Sequence, residues 1–81
     1  MGTESDVAAY VLVQTEVGRS EEVTEAIRSV SGVSEAHCVT GPYDVVVRAG
    51  AETMLALGRL VKAIQSVEGI TRTVTCPVIA E

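Results

Sequence analysis

Thr40-Gly41-Pro42-Tyr43-Asp44-Val45-Val46-Val47 is the stretch from which the rest of this 81-residue chain can be ordered. Gly41-Pro42 is a turn signal, because glycine tolerates unusual backbone angles and proline presets one of them. Val45-Val46-Val47 is the β-branched run expected of a buried strand. Working outward, Val33 to Thr40 reads as the strand before the turn and Tyr43 to Ala49 as the strand after it. Residues 33–49 therefore form an expected hairpin, with a short carboxylate, Asp44, at its bend.

Upstream, Val7 to Thr15 reads as a strand whose two faces, Val7/Ala9/Val11/Val13 and Ala8/Tyr10/Leu12/Gln14, are both largely apolar. A strand with one wet face would alternate, so something covers each side. A helix is expected over about residues 20–31, with Ser20 as N-cap and Glu21, Glu22 and Glu25 complementing the helix dipole. Val23, Ala26, Ile27 and Val30 give it an apolar stripe, and Gly32 is the expected stop. Downstream, Thr53 is the expected N-cap of a second helix. Leu57, Leu60, Val61, Ile64 and Val67 mark its buried face, Met54 extends that face by a turn, and Gly69 closes it. Ile70 to Ile79 is the last strand, confined to an edge by Pro77, which cannot donate a ladder bond.

The order is β-α-β-β-α-β. Ser29-Val30-Ser31-Gly32-Val33 recurs as Ser66-Val67-Glu68-Gly69-Ile70, so the chain reads as two related halves. That is an α+β, ferredoxin-like βαββαβ sandwich with antiparallel sheet order 4-1-3-2 and both helices on one face. The other face is then bare and apolar, and a second subunit's sheet is its simplest cover, in the pairing of dimeric α/β barrels. Residues 7–81 make the domain, and residues 1–6 are expected to be disordered.

Composition narrows the functions. The core has to come from aliphatic side chains, since the chain is 47% hydrophobic but has no Trp or Phe and two Tyr. A domain this small and this built is marginal alone, which again points to oligomerisation. A net charge of −5 and one Lys argue against direct nucleic-acid binding and against an anionic membrane surface. No apolar run reaches the roughly 20 residues of a membrane span, and the first residues lack a secretory pattern. The chain reads as cytoplasmic, with reduced thiols.

Cys38 and Cys76 fall on opposite sheet edges, too far apart for an intrachain disulfide, and are expected to be buried and unreactive. His37 and Cys38 are strand neighbours that point to opposite faces, which rules out a metal site made from them. His37 reads as a surface or interface residue, and no nucleophile or paired acid accompanies it, so no catalysis is expected. The acidic first-helix face and Arg59/Lys62 on the second helix read as solvated. The Gly41–Asp44 turn carries more. Backbone N–H groups left bare by glycine can hold a carboxylate, and Asp44 can receive an ammonium group a few ångströms away, a pair suited to a free α-amino acid. Asp44 can equally cap the hairpin by bonding local backbone. Both readings stand on the chemistry alone.

Taken together, Ala9–Val13, Ser31-Gly32-Val33, Val39–Asp44 with its apolar strand, Val67–Ile70 and the Thr-rich last strand resemble the effector-binding (RAM) domain of the Lrp/AsnC transcriptional regulators. The resemblance covers about residues 7–79. It implies dimers paired through their sheets and assembled into octameric or decameric rings, with small effectors, mostly amino acids, bound between dimers. By motif it implies Gly41, Tyr43 and Asp44 as contacts, with Asp44 taking the amino group, and Thr73 and Thr75 as further candidates on the last strand. Such regulators carry an N-terminal helix-turn-helix, whereas six residues precede the first strand here. The expectation is a stand-alone amino-acid-sensing domain without cofactor that can co-assemble with full-length Lrp/AsnC regulators. The alternatives are a purely structural assembly domain without ligand and, more weakly, a small dimeric α/β-barrel enzyme of the monooxygenase sort, which the lack of Phe and Trp disfavours. An amino-acid-binding ACT-type domain shares the fold, but the position of the Gly-x-Tyr-Asp turn in the central hairpin favours the RAM reading.

Overall fold

The Val7–Thr15 run is an inner strand of the sheet, with a neighbouring strand along each of its edges. The computed structural model describes residues 7–79, and the expected disorder of residues 1–6 lies outside them. The elements are β1 (Val7–Thr15), α1 (Ser20–Arg28), β2 (Val33–Cys38), β3 (Val45–Ala51), α2 (Met54–Gln65) and β4 (Ile70–Pro77). They form one antiparallel sheet, β2-β3-β1-β4, which is the expected 4-1-3-2 order read from the other edge. The fold is ferredoxin-like.

Strand register assigns the faces. Val11 pairs with Val47 on β3 and with Thr75 on β4, and Val47 pairs with Ala36 on β2. Directly opposed residues share a face. Ala9, Val11, Val13, Ala36, Val45, Val47 and Ala49 accordingly line one side and are almost wholly buried against Val23 and Ile27 of α1 and Leu57, Leu60 and Ile64 of α2. On the opposite face no described helix packs. Tyr10, Leu12 and Gln14 lie there with Val46 and Arg48 of β3 and Val74 of β4. Arg48 donates to the Tyr10 hydroxyl at 3.0 Å, with its guanidinium 5.2 Å from the ring centroid.

The internal repeat has a physical basis. Gly32 and Gly69 both have positive φ, 99° and 101°. A Cβ on Gly32 would stand 2.7 Å from Leu60 Cδ2 of α2, and one on Gly69 would stand 2.9 Å from Val23 Cγ2 of α1. Each repeat therefore ends in a glycine that lets the chain pass beneath the other half's helix. The two carbonyls repeat the symmetry: that of Gly32 accepts from Gly50 N–H at 2.9 Å, that of Gly69 from Glu16 N–H at 2.8 Å.

Several boundaries differ from expectation. Helix α1 ends at Arg28, three residues early, and Ser29 turns its hydroxyl back onto the Ala26 carbonyl at 2.7 Å. Ser20 is the first helical residue and not the N-cap, a position held by Arg19 without any side-chain cap. Arg19 instead bridges Glu22 at 2.6 Å and Glu16 at 3.0 Å, and these hydrogen bonds, Glu22's first, raise its pKa above the ordinary arginine value. Within α1, Ala26 is exposed and Thr24 takes the buried place, its hydroxyl donating to the Ser20 carbonyl at 2.7 Å. Thr53 caps α2 as expected, accepting from Ala56 N–H at 3.0 Å. Met54 does not extend the buried face: it is 60% exposed, and Leu55 is 67% exposed. The hairpin bend is longer than expected, since β2 stops at Cys38 and β3 starts at Val45 and runs to Ala51. The last strand stops at Pro77. Cys38 and Cys76 do lie on the two edge strands, but both are exposed and not buried: Cys38 is the last residue of its edge strand, and Cys76, paired with Tyr10, lies on the open sheet face.

Candidate functional site

Residues 39–44, between β2 and β3, fold back against the end of β1. Backbone and side-chain hydrogen bonds hold them. Val39 N–H donates to the Asp44 carbonyl at 2.9 Å, closing the bend, and Asp44 N–H donates to the Val13 carbonyl at 2.8 Å. Thr15 N–H donates to Asp44 Oδ2 at 2.8 Å, and Gln14 Nε2 donates to the Pro42 carbonyl at 2.9 Å.

Strand β1 outruns β3 here, since the ladder between them ends at Val13 and Val45. The Asp44 carboxylate supplies the acceptor that the missing strand would have offered to Thr15. Of the two readings open for Asp44, capping is thus realised, although across to β1 and not within the hairpin. It occupies one oxygen. Asp44 is half-buried, and Oδ1 makes no hydrogen bond among the described residues. A carboxylate accepts about four hydrogen bonds, so the group retains capacity for a cation. Gly41 has φ 131°, and nothing lies within 4 Å of a Cβ built on it. Its backbone is open to anything approaching from outside. Tyr43, between them, is half-buried.

Thr73 and Thr75 are placed otherwise. They pair with Val13 and Val11 across β4–β1, so they stand on the helix side of the sheet. Thr73 Oγ1 already accepts from Gln65 Nε2 at 3.0 Å, tying β4 to the last residue of α2. Strand β1 separates β4 from β3, a gap of roughly 10 Å at two strand spacings. Gly41, Tyr43 and Asp44 are brought together within one chain; the two threonines are not brought to them.

His37 is exposed on the β2 edge, its Nε2 3.2 Å from Glu35 Oε1. Among the described residues no three His, Cys, Asp or Glu side chains cluster as a metal site would require. The exposed Cys38 thiol sits 3.1 Å from Thr24 Oγ1 and 3.6 Å from the Ser20 carbonyl. The Thr24 hydroxyl donates to that same carbonyl, so the thiol is packed against two polar groups of the first turn of α1. No described helix is long and apolar enough to cross a membrane.

The family model of the Lrp/AsnC ligand binding domain matches residues 8–81. The chain belongs to the Lrp/AsnC ligand-binding domain family. Among solved structures it is similar to TTHA0845 from Thermus thermophilus, at 33% identity and TM-score 0.86, covering 93% of this chain and 95% of that one. It also shares its fold with AsnC of E. coli, at 20% identity and TM-score 0.87, covering all of this chain and 59% of AsnC. A third is the transcriptional regulator NMB0573 from Neisseria meningitidis, solved as a complex with L-Met, at 22% identity and TM-score 0.81, covering 94% of this chain and 51% of the regulator. Comparison with curated protein sequences finds no match. This Lrp/AsnC domain thus spans little more than half the length of those two regulators.

Two residues that support the turn were not legible as site residues. Gln14 and Thr15 look like the polar end of a strand, and the shorter of Thr15's two bonds to Asp44 comes from its backbone. The one signal was that the apolar run of β1 breaks to polar residues at Gln14, where β3 no longer accompanies it.

Proposed function

We propose that this Lrp/AsnC domain senses a free α-amino acid and serves as the regulatory module of a larger assembly. The ligand's ammonium group is received by Asp44 Oδ1 and its carboxylate by the bare backbone around Gly41, with Tyr43 beside them. The observation that carries this reading is the half-used carboxylate: Oδ2 is fixed by Thr15 N–H, which aims the group while leaving Oδ1 to a cation. NMB0573, a relative by fold, was solved with an amino acid bound. Thr73 and Thr75 join the site as residues of a neighbouring subunit, since their distance from the turn within one chain leaves them no other route. The open sheet face, with Leu12, Val46 and Val74, pairs with a second copy, and dimers assemble into an octameric or decameric ring. The domain acts without cofactor and without chemistry on its ligand, in the cytoplasm, and modulates full-length Lrp/AsnC regulators by co-assembly.

A second reading has its own observation. Because Asp44 already completes the end of β1, it has a structural reason to be there, as in an assembly domain without ligand. Calorimetric titration with each common amino acid, L-Met included, separates the two. Saturable heat with one of them supports sensing; no heat with any, from a protein that still assembles, supports the structural role. Light scattering with and without the ligand then reads the ring, and mixing with a full-length regulator reads co-assembly through a change in its mass or operator affinity.

A further inference from the structure

We infer that Gln14 is a positioning residue for the ligand-binding turn. Gly41 and Pro42 form the least restrained part of the bend: Gly41 adopts φ 131° with no atom within 4 Å of a Cβ position. A glycine that free loses more backbone entropy on ordering than any other residue. Val39 and Asp44 are bound at the two ends of the bend, by their own mutual hydrogen bond and by Val13. Between those ends, the 2.9 Å bond from Gln14 Nε2 to the Pro42 carbonyl is the hydrogen bond that restrains the middle among the described residues.

Gln14 reaches the turn from a different side than Thr15. Successive residues of a strand point to opposite faces, so the Gln14 side chain lies on the open sheet face, where it is paired in register with Arg72 of β4. Thr15 holds Asp44 from the strand edge, through its N–H at 2.8 Å and more weakly through its hydroxyl at 3.5 Å. The turn is therefore clamped by two consecutive β1 residues acting in different directions. Ordering the Gly41–Pro42 backbone before a ligand arrives spares the ligand that entropic cost, which is the usual route by which preorganisation raises affinity. Gln14 itself touches no ligand in this scheme; it acts through Pro42.

The inference rests on the proposed amino-acid site only for its effect on affinity. Its effect on the turn is measured separately. Gln14→Ala removes the donor and the bulk; Gln14→Glu keeps the bulk and, ionised at neutral pH, cannot donate. Hydrogen exchange of the Val39 and Asp44 amides, the two turn N–H groups held by backbone acceptors, reads order in the bend. Calorimetry reads affinity. Expected in both variants is exchange faster by about threefold to tenfold, the range of one exposed hydrogen bond, with binding weakened by a similar factor. Faster exchange in a protein whose wild type binds no amino acid would sink the sensing proposal and leave the positioning role of Gln14 standing. Unchanged exchange in Gln14→Ala, or a Gln14→Glu variant indistinguishable from wild type, overturns the inference whatever the ligand result.

Discussion

Asp44 Oδ2 accepts the backbone N–H of Thr15 at 2.8 Å, joining the residue before β3 to the last residue of β1 across 29 positions of sequence. This bond makes Asp44 a structural residue before it is a binding one, and the two roles respond differently to substitution.

Asp44→Ala strands a part-buried N–H and should cost about 1–2 kcal/mol of stability, the range for a lost hydrogen bond with an unsatisfied partner. Asp44→Asn keeps an oxygen for Thr15 and removes the charge. Thermal unfolding should show a lowered Tm for the first and a Tm close to wild type for the second. Equal losses would mean that charge, and not the Thr15 bond, holds the turn.

Glycine positions should divide by what surrounds them. Gly58 lies exposed in α2 with open space at its Cβ position and no positive φ. Gly58→Ala should stabilise the protein by about 0.5–1 kcal/mol through helix propensity. Gly32→Ala meets Leu60 and the Gly50 carbonyl as well as an unfavourable φ, and should cost about 1–3 kcal/mol. Gly18→Ala, with φ 81° but nothing nearby, should cost only the backbone term and fall between them. Urea unfolding of the three variants orders them; a Gly32 variant as stable as the Gly18 variant would refute the packing role of the repeat.

The two helix starts should also separate. Thr53 accepts from Ala56 N–H, whereas α1 begins without a side-chain cap. Thr53→Ala should cost about 1 kcal/mol, and Ser20→Ala should fall within about 0.5 kcal/mol of wild type. A cost at Ser20 as large as at Thr53 would restore the cap that the sequence pattern suggested.

The open face is testable by charge. Leu12 and Val46 oppose each other on it, both half-buried in the single chain. Leu12→Glu should convert the proposed dimer to monomers, because pairing would bury an uncompensated carboxylate. Sedimentation equilibrium reads the mass; an unchanged oligomer would place its interface elsewhere.

Element order, sheet order and the edge position of β4 were legible because each rests on a repeated signal: two-faced apolar runs, the Ser-Val-x-Gly repeat, and Pro77. The Thr53 cap was legible for the same reason, as a hydroxyl directly ahead of an apolar period. What escaped depends on neighbours far along the chain. The premature end of α1 comes from Ser29 bonding back to Ala26, and Thr24 takes the buried place because its hydroxyl is satisfied by Ser20, neither of which periodicity registers. Met54 belongs to the apolar pattern of α2 yet lies in its first turn, clear of the sheet. Cysteine burial was read from residue type, while Cys38 ends its edge strand and Cys76 lies on the open sheet face. Asp44 was recognised as a site residue, but its partner, a backbone N–H 29 residues away, has no sequence signature, and the same holds for Gln14 and Pro42.

Sensing at Asp44 is the central claim, and calorimetry of wild type beside Asp44→Asn tests it most directly. The panel is the common amino acids, with Tm showing that the variant is folded. Expected is saturable binding of at least one amino acid by wild type, weakened about tenfold or more in Asp44→Asn, as for loss of a charged hydrogen-bond partner. No heat with any amino acid, or equal affinity in the two proteins, would contradict it.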